Sequence, residues 1–131
     1  MIKYISSLVV SFLLFCSSAF ACQEMSFDPW LHFVNKKEFY DSNGFMLWHY
    51  EGDKIYGAHM IYAGKLVSDK LYDCQGSKIA TKKGNNIYDE RDVLIFKIDG
   101  NKIYNSKSVL VATIRGNVIY NEKGSVFGKL K

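Results

Sequence analysis

The sequence predicts an all-β domain of six β-hairpins, sixteen residues each, closed into a flower- or barrel-like antiparallel array. Three observations carry the prediction. A tyrosine recurs at intervals of sixteen, at Tyr40, Tyr56, Tyr72, Tyr88, Tyr104 and Tyr120. Each unit holds two turn signals of different chemistry, so sixteen residues suit two short strands better than two helices. The pairing those turns impose then sets apolar residues opposite apolar ones, as a single buried face requires.

The elements follow in order along the chain. Residues 1–21 combine a short start bearing Lys3, an apolar run from Leu8 to Phe15, and Ala19-Phe20-Ala21 with small residues where a signal peptidase reads. They are read as a secretory signal, removed from the mature protein. A retained membrane anchor fits less well, because the run falls short of the roughly 20 residues needed to span a bilayer and Ser11, Ser17 and Ser18 interrupt or flank it.

Cleavage there leaves Cys22 as the first mature residue, and two fates stay open for it. One is a lipid anchor, although Ala19 and Phe20 depart from the usual lipoprotein signal. The other is a disulfide, since removal of Cys16 leaves Cys22 and Cys74 as an even pair in an oxidising compartment. Residues 22–35 form an N-terminal segment in which DPWLHFVN, from Asp28 to Asn35, aligns with the second half of a unit. It is a candidate closing strand, pairing with the last one. Pro29, the only proline, lies here, and every repeat strand keeps its backbone donors.

Residues 36–131 are the six units without insertion. Junctions carry Gly52-Asp53, Gly84-Asn85, Gly100-Asn101 and Gly116-Asn117, with Ser68-Asp69 as the variant; Gly before Asn or Asp marks a two-residue hairpin loop. The register this sets places Tyr50 opposite Ile55, Leu66 opposite Leu71, Ile98 opposite Ile103 and Ile114 opposite Ile119. One step out, His49, Lys65, Lys97 and Thr113 face tyrosines.

The internal turns read as type I with a glycine bulge, as in Asp41-Ser42-Asn43-Gly44, Asp73-Cys74-Gln75-Gly76 and Asn121-Glu122-Lys123-Gly124. Met60, Asp92 and Ser108 replace the glycine, so those turns are expected to be less regular. Across this turn Ile87 is expected to meet Leu94, Ile103 to meet Leu110, and Ile119 to meet Val126. Lys78 and Lys82 then erode the core face of the third unit and place it at a seam or mouth. Leu47, Ala63, Ile79, Ile95, Val111 and Phe127 fall on the tyrosine face, which must be partly covered. Closure is favoured over an open meander because it removes two exposed edges; a β-solenoid with one coil per unit is the alternative.

Units such as GNKIYNSKSVLVATIR and GNVIYNEKGSVFGKLK resemble those of the bacterial β-flower repeat families, whose hairpins surround a central axis. The resemblance covers residues 36–131 and implies a fold and export, with no active site. KEFYDSNGFMLWHYEGDKIYG is more distantly similar to the aromatic-glycine repeats of choline-binding cell-wall modules, although those have a longer period and a tryptophan-lined box for which only Trp30 and Trp48 are available here.

The chemistry read from the residues is spare. Lys3 is the only charge in 1–21, so the formal net charge of +4 falls to +3 in the mature chain, a mild bias. Lys36-Lys37 and Lys82-Lys83 sit near turns as solvated tips, and export argues against nucleic acid. His32, His49 and His59 have no metal-ligand spacing with Cys22 or Cys74, and no nucleophile elbow, phosphate loop or carboxylate pair occurs. Neither catalytic nor metal residues are assigned, and no cofactor is implied. Tyrosine serves strands well structurally. A candidate binding face is nonetheless drawn from the most aromatic units: Trp30, Trp48, Tyr50 and Tyr62. Trp48 stands where other units carry Gly64, Ala80, Phe96, Ala112 and Gly128, on the core face by register. Two functions fit: a non-catalytic binding or structural module of the bacterial envelope, recognising a glycan or protein, or an exported inhibitor such as an immunity factor against a toxin or wall-degrading enzyme.

Overall fold

The computed structural model describes residues 22–25, 28–34 and 37–131; the expected signal lies outside them. Twelve antiparallel strands close into a barrel in which each pairs with its neighbours in sequence and the first, Phe39–Asp41, pairs with the last, Val126–Leu130. This is the closed hairpin array, not a solenoid. The seam repeats the junction register: Phe39 faces Leu130 and Tyr40 faces Lys129, as Ile119 faces Ile114 and Tyr120 faces Thr113. Glu38 and Lys131 exchange backbone hydrogen bonds of 3.0 and 2.8 Å beside it. No edge is left unpaired in the ring, so the aggregation hazard of an open meander is removed.

The junction register is the one read from the turns, with Tyr50 opposite Ile55, Leu66 opposite Leu71 and Ile98 opposite Ile103. At Gly52, Gly84, Gly100 and Gly116 only the first loop residue is left-handed, at φ 61–62°, whereas Ser68-Asp69 puts both residues there, at 53° and 64°. The variant therefore switches between the two primed turn types.

The internal turns are more uniform than expected. In five units an Asx side chain caps the loop: Asp41 Oδ1 accepts from the Asn43 and Phe45 amides at 2.9 Å each, and Asp73, Asp89, Asn105 and Asn121 do the same. Asp92 and Ser108 occupy the glycine's left-handed place at φ 64° and keep the pattern, against the expectation of irregularity. The departure is confined to the second unit. Gly57 stands in the Asx position with no side chain to cap, and Ala58–Met60 folds as a 3-10 turn with His59 and Met60 both left-handed.

Beyond the loop a second correction appears. Each unit has a β-bulge between its buried apolar residue and its tyrosine, so Ile87 faces Phe96, Ile103 faces Ala112 and Ile119 faces Gly128, while Leu94, Leu110 and Val126 face tyrosines. Two residues on the longer strand oppose one on the shorter, which brings two successive side chains toward the same side. Ile79, Ile95, Val111 and Phe127 accordingly pack on the core instead of the tyrosine face. Lys78 moves to the outer wall opposite Tyr72, so the third unit is no seam; the seam lies between the first and last units.

The core is a ring of six fully buried residues, Phe39, Ile55, Leu71, Ile87, Ile103 and Ile119, one per unit. Burial of each is worth about 1.5–3 kcal/mol. The lumen they surround is filled by the N-terminal segment, and here the closing-strand expectation fails. Pro29–Val34 is a helix. Pro29 suits the first helical turn, and the Leu31 amide donates to the Asp28 carbonyl at 3.0 Å. The six hairpins close on one another without a thirteenth strand, so the segment buries its apolar residues inside: Met25, Trp30 and Leu31 join the core. Cys22 is bonded to Cys74 in the third unit's internal turn, with Cα atoms 5.7 Å apart. The Gln23 amide donates to the Tyr62 carbonyl at 2.9 Å, and its side chain occupies the space a side chain at Gly57 would need.

Candidate binding surface

Inside the barrel, three of the four aromatics picked from the sequence surround or form the plug. Trp30 is 2% exposed, with its ring 6.1 Å from Phe127. Trp48 meets the His32 ring edge-on at 4.7 Å, and the Tyr50 hydroxyl shares a 2.8 Å hydrogen bond with His32 Nδ1. Trp48 is thus held against the core by the plug, as its register implied. Burial pulls the pKa of His32 down to about 3 and pushes that of the Tyr50 phenol up, so both are neutral at pH 7. Tyr62 is elsewhere. It lies on the outer wall, its ring 5.8 Å from that of Tyr56. The four residues therefore do not make one continuous face.

The outer wall carries what sequence reasoning treated as a structural repeat. Strand alternation turns each tyrosine outward from its buried neighbour, and all six are half-buried. Cations lie over four of them: Lys65 over Tyr72 and Lys83 over Tyr88 at 5.5 Å, Arg115 over Tyr120 at 5.2 Å, and Lys131 over Tyr40 at 4.8 Å. Register foresaw Lys65 opposite Tyr72 and missed the other three, whose cations come from a different unit position. Where Thr81 or Thr113 faces the tyrosine, Lys83 or Arg115 reaches over from two residues further along. Each such contact is worth about 0.5–1 kcal/mol at an exposed site and fixes a flat ring beside a positive charge.

One corner of the wall differs. His49 is gripped by Glu38 through Nδ1 and by Glu51 through Nε2 at 3.0 Å, and the Tyr40 hydroxyl donates to Glu38 at 2.7 Å. Glu51 and Glu38 raise the His49 pKa, and the hydrogen bonds from Tyr40 and His49 lower that of Glu38. Both ring nitrogens are committed, so this corner reads as a clasp between the two strands of the first unit. At the internal-turn rim Phe45 is 69% exposed, with Val93 and Val109 exposed at the same unit position.

A cavity of about 300 Å³ lies beside the plug, lined by Trp30, Phe96 and Phe127 together with Asp28, Asn121 and Glu122. Burial raises the Asp28 pKa. Among the described residues no group of three or more His, Cys, Asp or Glu side chains is arranged to hold a metal ion, and no helix is long and apolar enough to cross a membrane. No family model, curated protein or solved structure matches the chain.

Proposed function

We propose that this chain is an exported, non-catalytic binding module of the bacterial envelope, presenting its outer wall to a partner. The observation that carries the reading is the Cys22–Cys74 bond. Stable disulfides belong to oxidising compartments, and this one uses the residue that follows the expected signal. It also staples a plug into the lumen, so the fold spends its interior on rigidity and leaves its exterior for recognition. The likeness of the units to β-flower repeats supports the same compartment.

The test is fractionation of the producing cell, followed by mass spectrometry of the purified protein without reductant and capture of partners from envelope extract. Export, an intact Cys22–Cys74 peptide and a captured envelope component are expected. A cytoplasmic protein with two free thiols would sink the reading, and a diacylated Cys22 would replace the bond with an anchor. Capture of a single toxin or wall-degrading enzyme, with loss of that enzyme's activity, would decide for the inhibitor instead.

A further inference from the structure

The modest overall charge hides a separation along the barrel axis. Each unit divides into a half around the junction turn, such as Lys65 to Tyr72, and a half around the Asx turn, such as Asp73 to Ala80. Among the described residues the junction halves hold eleven Lys and Arg against five Asp and Glu, a net of +6. The Asx halves hold four against six, and Glu24 and Asp28 of the plug segment take that end to a net of −4. Folding stacks the six junction halves side by side, so one end of the wall is basic.

The tyrosines stand at the inner edge of that basic half, each immediately before the position that opens the Asx turn. Lys97 faces Tyr104 and Lys129 faces Tyr40 across paired strands, in addition to Lys65 and the other cations that lie over rings. Successive tyrosines are two strands apart, hence about 10 Å around the wall. That is close to the length of two linked sugar rings. We propose that this end of the outer wall binds a linear acidic polysaccharide, with sugar faces resting on tyrosines and carboxylates or phosphates paired to lysines. The proposal rests on the binding-module reading and names its ligand class. A convex wall touches a flat bilayer only along a line, whereas a flexible polymer follows the curve and meets several units at once.

Purified polymers test it on the oxidised protein: polygalacturonate, neutral dextran, polyphosphate and oligo-dT. Polygalacturonate is expected to bind, weakening steeply between about 50 and 200 mM salt as ion pairs are screened. Dextran should not bind. The pair Tyr72→Leu with Tyr88→Leu should lose about tenfold toward polygalacturonate and little toward polyphosphate, since leucine keeps apolar bulk but offers a sugar no flat aromatic face to rest on. Lys65→Gln with Lys83→Gln should weaken both, and Lys107→Gln with Lys123→Gln at the acidic end neither; melting curves confirm that each variant folds. No binding of polygalacturonate at low salt, equal binding of dextran, or a tyrosine pair without effect overturns the proposal. Tighter, tyrosine-dependent binding of oligo-dT overturns it in favour of nucleic acid. A negative here beside a positive capture from envelope extract removes the ligand class and leaves the module reading intact.

Discussion

Opening the Cys22–Cys74 bond, by Cys22→Ser with Cys74→Ser so that no free thiol remains, should destabilise the protein without unfolding it. The two cysteines are 52 residues apart in sequence. Closing a loop of that length removes enough unfolded-chain entropy to stabilise the native state by ~4 kcal/mol. The folded side of the balance changes little, because Met25, Trp30 and Leu31 still bury themselves in the lumen. Urea denaturation of the oxidised protein and the double variant measures the difference. With a slope of about 1–3 kcal/mol per molar, the midpoint should fall by roughly 2 M while the slope rises somewhat, because the uncrosslinked unfolded chain exposes more surface. A loss below about 1 kcal/mol, with the bond verified in the parent, would refute the reasoning, since the segment would then be equally restrained in the unfolded chain without it.

Four further outcomes are expected. His32 binds a proton in the unfolded chain near its ordinary pKa of 6.5 but in the fold only near 3, so its contribution is complete above pH 6.5 and is lost as pH falls toward 3; urea midpoints at pH 7, 5 and 4 should decline in the parent and decline less in His32→Gln. His49 has the opposite sign, its raised pKa giving stability present below pH 6.5 and lost as pH rises through the folded value; NMR titration of the parent should place His49 above 6.5, and the part of the stability lost on raising pH should be absent in His49→Gln. Trp48→Ala, which empties the contact with His32, should cost about 3 kcal/mol in thermal unfolding, and an unmoved melting curve would contradict the packing. An added methyl at Gly64 would overlap the Tyr72 carbonyl oxygen and the Met25 side chain, so Gly64→Ala should cost about 3 kcal/mol, checked by the same melt.

The parts of this fold that were legible in the sequence are those governed by local backbone chemistry. A two-residue loop fixes which residues face each other, and Gly supplies the positive φ it needs, so the junction register from Tyr50–Ile55 to Ile114–Ile119 followed directly. The bulge after the Asx turn demands no special residue, and nothing at Leu94 or Leu110 announces it. Its trace was the apolar run at Ile79, Ile95, Val111 and Phe127, which makes sense only once those side chains point inward. Asp28-Pro29 was a helix-start signal overshadowed by an alignment with the repeats. The regularity of the turns at Asp92 and Ser108 shows the Asx side chain, not the glycine, to be the part of the internal loop that matters; the second unit, lacking it at Gly57, is the one that deviates. The junction register already set Lys65 against Tyr72 and Lys97 against Tyr104, but Lys83, Arg115 and Lys131 reach their rings from two residues beyond the paired position, which register does not announce.

The plug also acts as a gauge of copy number. Because the seam between Leu130 and Phe39 repeats the junction geometry, pairing register alone does not set how many units the ring contains. A gene that duplicates in steps of sixteen codons could lengthen it in register indefinitely. Six units enclose the girth of Trp30, Leu31 and His32 fully: five would squeeze them, and a seventh would add a void beside them costing about 24 cal/mol for each cubic ångström unfilled. A segment outside the repeats thereby counts them.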